Sequence, residues 1–287
     1  MIKNYFSLVK FSHTVFALPF ALIGFTMGVF KVGHFDFWLL IKVILCMVFA
    51  RNAAMAYNRY LDRDIDSLNP RTLNREIPAG IMKPQTVLYF VIINCVLFII
   101  TCYFINRICL YLSPLALLII LGYSFTKRFT VLCHFILGLG LALAPVGAYM
   151  AVTATFSLIT ILLGIVVLCW VSGFDIIYSL QDDNFDRTQN LYSIPASLGR
   201  KGALRLSALI HFICALLLCI SVVMIRQTYP ETGLLLYVAT AIFLIMLVYQ
   251  HLIITADDLR RVNLAFMTTN GLASVVFGSL VIIDFFV

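Results

Sequence analysis

Long uncharged runs alternate with short polar segments along this chain, and the runs share one length. Residues 11–30, 84–106, 108–126, 206–225, 232–256 and 262–283 contain no Asp, Glu, Lys or Arg. A helix that crosses a bilayer needs about 20 mostly apolar residues, so each run predicts one span. The uncharged stretch 129–174 is long enough for two, with a bend expected at 153–157, and 37–57 adds another in spite of Lys42 and Arg51. The expected total is nine. None of the runs alternates apolar and polar residues as a barrel strand does, so the class is all-α: a polytopic membrane protein of nine transmembrane helices.

Composition agrees, since 62% of the 287 residues are hydrophobic and 11% charged, far too apolar for an ordinary soluble domain. Charge supplies orientation. With the N-terminus in the cytoplasm, 15 cations fall on that side (Lys3, Lys10, Arg59, Arg63, Arg71, Arg75, Lys83, Lys127, Arg128, Arg187, Arg200, Lys201, Arg205, Arg260, Arg261). Four fall on the other (Lys31, Lys42, Arg107, Arg226), and Arg51 lies inside a span. This is a positive-inside bias, which makes the net charge of +7 a signature of topology and gives no support to nucleic-acid binding. The first apolar run is long enough to span and lacks a small-residue cleavage site, so it is expected to be an anchor in the cell (inner) membrane. The eight cysteines all fall in predicted spans without a Cys-x-x-Cys pair, and the five histidines are scattered. Neither set suggests a zinc site.

The acids are concentrated. Ten of 13 carboxylates lie on the expected cytoplasmic side, eight of them within 62–76 and 175–186. The first stretch reads NRYLDRDID and sets Asn58, Asp62 and Asp66 four residues apart, on one face of a helix where like charges repel. The second reads YSLQDDNFD and sets Tyr178, Asp182 and Asp186 at the same steps. RTLNREIPAG (71–80) and RTQNLYSIPA (187–196) then follow in parallel. The pattern predicts one membrane domain over 1–287, with related four-helix halves at about 1–128 and 129–256 and a ninth helix at about 262–287.

Carboxylates facing each other across a cavity bind Mg²⁺ one or two at a time and leave room for phosphate oxygens. A bridged diphosphate becomes a good leaving group. Arg71, Arg75, Lys127, Arg128 and Arg187 sit just beyond the helix ends, where they would meet the anion. Acids near a membrane surface are commonly just solvated, and Asp64, Asp183, Asp257 and Asp258 are read that way; the repeated spacing argues otherwise for Asp62, Asp66, Asp182 and Asp186. Arg51 and Asp175 lie seven residues before Asn58 and Asp182, two turns deeper in the membrane, where ionisable groups are functional candidates. The two could pair with each other, or Arg51 could hold a substrate carboxylate while Asp175 or Tyr178 orients or deprotonates the acceptor.

The segments ARNAAMAYNRYLDRDIDSLNPRTLNREIPAG (50–80), YSFTKRFT (123–130) and FDIIYSLQDDNFDRTQNLYSIPASLG (174–199), with the opening KFSHTVFALPFALIG (10–24), resemble the UbiA family of membrane aromatic prenyltransferases. The likeness is strongest to its 4-hydroxybenzoate polyprenyltransferase branch and that branch's relatives in the futalosine menaquinone pathway. The resemblance implies a nine-helix UbiA-type bundle open laterally to lipid. In it Asn58, Asp62, Asp66, Asp182 and Asp186 would hold Mg²⁺ and a polyprenyl diphosphate, Arg71, Arg75, Lys127 and Arg128 would contact the diphosphate, and Arg51 and Tyr178 would meet an aromatic acid acceptor. Lys10 and His13 stand where many members carry an arginine. The expected activity is Mg²⁺-dependent prenylation of 4-hydroxybenzoate or a hydroxynaphthoate such as 1,4-dihydroxy-2-naphthoate, in ubiquinone or menaquinone biosynthesis. A cation-coupled transporter is the rival from another class, but its acids belong near the midplane at broken helices.

Overall fold

The computed structural model describes residues 2–9 and 16–287, so the expectations for Lys10 and His13 lie outside the described residues. Every regular element among those residues is helical. A short α1 (Ile2–Leu8) precedes α2 (Leu18–Val32), α3 (Phe37–Leu61), α4 (Arg63–Asp66), α5 (Pro84–Tyr103) and α6 (Arg107–Thr126). The second half runs α7 (Cys133–Thr153), α8 (Leu158–Ser179), α9 (Asp183–Thr188), α10 (Ile194–Thr228), α11 (Leu234–Ile253) and α12 (Asn270–Asp284). Among the described residues eight helical stretches are long and apolar enough to cross a membrane, which makes this a polytopic membrane protein. The first expected span, 11–30, is met in part by α2, apolar but only 15 residues long, with proline in its first turn where the missing N–H costs nothing.

Polar residues punctuate the apolar runs. Asp36 accepts from the Trp38 and Leu39 amides and starts α3. Asn106 starts α6 by accepting from the Cys109 N–H, and its own amide donates to the Met150 and Ala151 carbonyls, locking that end to α7. The expected bend near 153–157 is the α7–α8 turn, where Ala154 adopts a left-handed φ of 52°. Buried Asp284 accepts three N–H groups, from Gly233, Leu235 and Leu236, and so caps α11 from the end of α12.

Helix α7 is the axis of the bundle, packing along α2, α6 and α8. On one side lies a solid core in which Phe20, Trp170, Phe243 and Phe277 are fully buried with ring centroids 5.3–6.2 Å apart. On the other, α3 barely touches α2, and the space between α3, α6 and α7 is a cavity of about 420 Å³. Glycines let α7 approach its neighbours: a Cβ on Gly24 would collide with the Pro145 carbonyl, and one on Gly138 would lie 2.6 Å from the Leu168 carbonyl oxygen. Gly24→Val and Gly138→Val should each cost about 1–3 kcal/mol by overpacking, read as a lower melting midpoint in detergent.

Candidate active site at the mouth of the apolar cavity

Helix α3 ends at a buried carboxylate. Asp62, 1% exposed, leaves helical geometry (φ −88°, ψ 5°) while keeping its N–H on the Asn58 carbonyl, and one turn of α4 carries the chain to Asp66, 4% exposed. The second acid stretch is built alike. After α8 a short 3₁₀ turn reaches Asp182 (φ −107°, ψ 4°), and α9 then carries Asp186. The two leading acids thus occupy the same sparsely allowed backbone region, one at each break.

An anion buried at this depth is tolerable only with partners. Asp62 accepts from Lys127 Nζ at 2.6 Å, Arg128 Nη1 at 3.0 Å and the Asn58 amide at 3.0 Å. Both oxygens of Asp66 accept from Arg75 Nη1, at 2.7 and 2.8 Å. Asp182 receives Arg71 through Nε at 2.8 Å and through Nη2, and the Asn69 amide at 3.0 Å. Burial works against the Arg71 charge, but Asp182 and Tyr178 more than offset it and hold the guanidinium above its ordinary pKa. Charges acting on half-buried Asp186 include those of Asp182 and Lys127. The loop after the first motif therefore reaches across to the second, and Lys127 stands between them.

Four of the five cations assigned from sequence, Arg71, Arg75, Lys127 and Arg128, come to the acids. Arg187 does not; it donates to the Pro195 carbonyl. Asp183, read as a solvated acid, is instead buried and pairs with Arg200, whereas Asp258 pairs with Arg260 at the surface and Asp64 is exposed. Asp175 differs from expectation. Its carboxylate lies 2.7 Å from His134 Nδ1, so its ion pair is with α7 rather than with Arg51. Tyr178 accepts from Arg71 Nη1 at 3.1 Å, and Arg51 lies deeper, where it and Tyr123 line the cavity.

Several participants were not singled out from sequence. Tyr123 precedes Lys127 by one helical turn, a spacing that could have flagged it. Asn69 and His134 carry no local signal, since their partners are 113 and 41 residues away. Arg59, 6% exposed, sits in the field of Asp66 and Glu76, and its Nε lacks a hydrogen-bond partner among the described residues.

As they stand, no three His, Cys, Asp or Glu side chains among the described residues lie close enough to hold a metal ion, because cationic side chains separate the carboxylates. The donor set nonetheless fits a hard divalent cation. Mg²⁺ takes oxygen ligands, keeps several waters and needs only one or two carboxylates beside phosphate oxygens. The site therefore matches a magnesium–diphosphate anion whose charge would occupy the guanidinium and ammonium groups.

The sequence profile of the UbiA prenyltransferase family matches residues 17–272. The chain belongs to that family. As a UbiA protein it is a prenyltransferase, as the sequence implied. Among curated relatives it is 28% identical to the 4-hydroxybenzoate octaprenyltransferase of Aliivibrio salmonicida over 244 residues, covering 84% of this chain and 83% of that protein. Among solved structures, the apo UbiA homologue of Aeropyrum pernix K1 matches with a TM-score of 0.83 and 32% identity, over 95% of this chain and 98% of that one. A UbiA homologue of Archaeoglobus fulgidus bound to DMAPP and Mg²⁺ shares the fold, with a TM-score of 0.77, 18% identity and 99% of both chains covered.

The Asp66–Arg75 pair offers a direct check on this UbiA site. Asp66→Asn and Arg75→Gln should each lower the melting midpoint, and the double variant should lose less than their sum. The coupling should be about 1–3 kcal/mol in a double-mutant cycle of melts in detergent.

Proposed function

We propose that this protein transfers a polyprenyl group from an isoprenyl diphosphate to an aromatic acid, 4-hydroxybenzoate or a hydroxynaphthoate such as 1,4-dihydroxy-2-naphthoate, in quinone biosynthesis. The observation that carries the reading is a convergence of Asp62, Asp66, Asp182 and Asp186 with four cations beside a 420 Å³ cavity lined almost wholly by apolar side chains. An ionic head and an oily tail would each find a matching surface. The relatives named 4-hydroxybenzoate octaprenyltransferase and the homologue bound to DMAPP and Mg²⁺ support the same choice of substrates.

In this reading Arg71, Arg75, Lys127 and Arg128 exchange their carboxylate partners for diphosphate oxygens, and Asn58, Asp62, Asp66, Asp182 and Asp186 would hold the accompanying Mg²⁺. When bound, that ion would offset the charge developing on the leaving diphosphate. The allylic C–O bond breaks with both electrons going to the diphosphate, the electron-rich ring attacks the resulting cation, and the ring proton leaves. Arg51 holds the acceptor carboxylate, Tyr178 orients the ring, and Asp175, poised on His134, is placed to receive the proton. The apolar walls take the tail and keep water from the cation.

The topology belongs to the same proposal. The chain forms one domain over 1–287 in the cell (inner) membrane with its N-terminus and active-site loops cytoplasmic, and α2 is the first of nine crossings. The matched backbone breaks at Asp62 and Asp182 support related halves at about 1–128 and 129–256, followed by a helix at about 262–287.

Membranes supplied with prenyl diphosphate and either acceptor should form product with Mg²⁺ and none with EDTA. Asp62→Ala and Asp182→Ala should fall to background while eluting as folded protein in detergent, and normal turnover in either would sink the metal assignment. Arg51→Ala should raise the acceptor KM by about tenfold or more, as expected for loss of a charge-assisted hydrogen bond, with little change in the diphosphate KM.

A further inference from the structure

The last membrane segment contains a π-helical stretch, Leu264–Thr269, running directly into α12. Such stretches strain the hydrogen-bond ladder and recur at functional sites. Here a buried amide holds it. Asn270, 1% exposed, donates through Nδ2 to the carbonyls of Ala265 at 2.8 Å and Phe266 at 3.3 Å, and its Oδ1 accepts from Trp170 Nε1 at 2.9 Å. One side chain therefore holds the π turn and ties it to α8.

Trp170, Phe174, Tyr178 and Asp182 follow one another at steps of four along α8 and the turn after it. Asn270 grips this stripe at Trp170, and the π turn lays Phe266 over it at Tyr178, with ring centroids 4.1 Å apart and planes at 31°. Phe266 also meets Phe174 edge-on at 5.4 Å. Tyr178 also packs against the core, and its hydroxyl accepts from the Arg71 guanidinium. Under the proposed reaction Arg71 turns to the diphosphate, and the stacked ring of Phe266 is an attachment that stays.

We propose that Asn270 is a positioning residue for acceptor recognition: by fixing the π turn it sets Phe266 as the platform that keeps the Tyr178 ring oriented when Arg71 is engaged elsewhere. The inference rests on the prenyl-transfer reading for its consequence and on Asn270, Phe266 and Tyr178 for its geometry, and two measurements separate these.

The first is independent of turnover. With 4-fluorophenylalanine at position 266 of the full chain in detergent, the ¹⁹F resonance should move in Tyr178→Leu, which removes the stacked ring. It should move again in Asn270→Asp, which keeps an acceptor for Trp170 but loses the donors to the π turn. A resonance indifferent to Asn270→Asp overturns the inference whatever the substrate is. The second reads kinetics beside a wild-type control, whose own inactivity would fail the prenyl-transfer reading instead. Phe266→Leu and Asn270→Asp should raise the 4-hydroxybenzoate KM about tenfold and leave the diphosphate KM within about twofold, a split that a smaller folded fraction cannot produce. Phe266→Tyr, which keeps a stacked ring, should restore the wild-type value. An unchanged acceptor KM, or both KM values rising together, overturns the positioning role.

Discussion

Four carboxylates at the polar end of an apolar helix bundle cannot remain charged without partners, and that requirement organises the structure. A buried ion without compensation costs several kcal/mol, more than a whole domain can spare repeatedly. For Asp62, Asp66 and Asp182 the chain meets the requirement by bending loops back over helix ends: 67–83 brings Arg71 and Arg75, and the segment after α6 brings Lys127 and Arg128, while Asp186 is only half-buried. Arg71 and Asn69 reach Asp182 across more than 110 residues of sequence, so one electrostatic constraint also ties the loop after the first acid stretch to the second. Under the proposed function, a polyanion arriving with its own cation would take over both sets of partners.

The helix breaks follow from that constraint. A continuous α3 would carry the chain straight on past Asp62, whereas the observed step to ψ 5° brings in a second acid one turn later and lets the following loop fold back over it. Thr72 secures the fold-back by donating to the Asp66 carbonyl. The break after α8 does the same for Asp182 and Asp186, with Ser193 then starting α10. Acid placement, backbone geometry and loop direction are in this sense one feature rather than three.

That dependence explains what could be read from the sequence. Spans were legible because each must satisfy its backbone internally within a bilayer, which writes a length into the hydropathy. The acid pairs were legible because they recur at identical spacing, and their cations because they follow the helix ends. Partner choice was not legible. Asp175 could be matched with Arg51 by depth alone, but depth says nothing of which helix faces which, and the α7–α8 packing delivers His134 instead. The π turn was equally hidden, since Leu264–Thr269 reads as ordinary apolar helix and only the contact of Asn270 with Trp170 shows why it is distorted.

The distribution of polar atoms along the cavity bears on how a reactive cation would survive there. Arg51 and Tyr123 lie at the end nearest the carboxylates, whereas the nucleophilic side chains Cys46, Cys102 and Cys109 line the far part. Tyr123 is four residues from Lys127, about 6 Å along the helix at 1.5 Å per residue, while Cys109 is 18 residues away, about 27 Å. Under the proposed reaction, a diphosphate held by Lys127 would keep its allylic carbon at the Tyr123 end, and the tail alone would reach the thiols. Separation of head from thiols by helix length, together with dry walls between, would leave the bound aromatic ring as the nucleophile within reach.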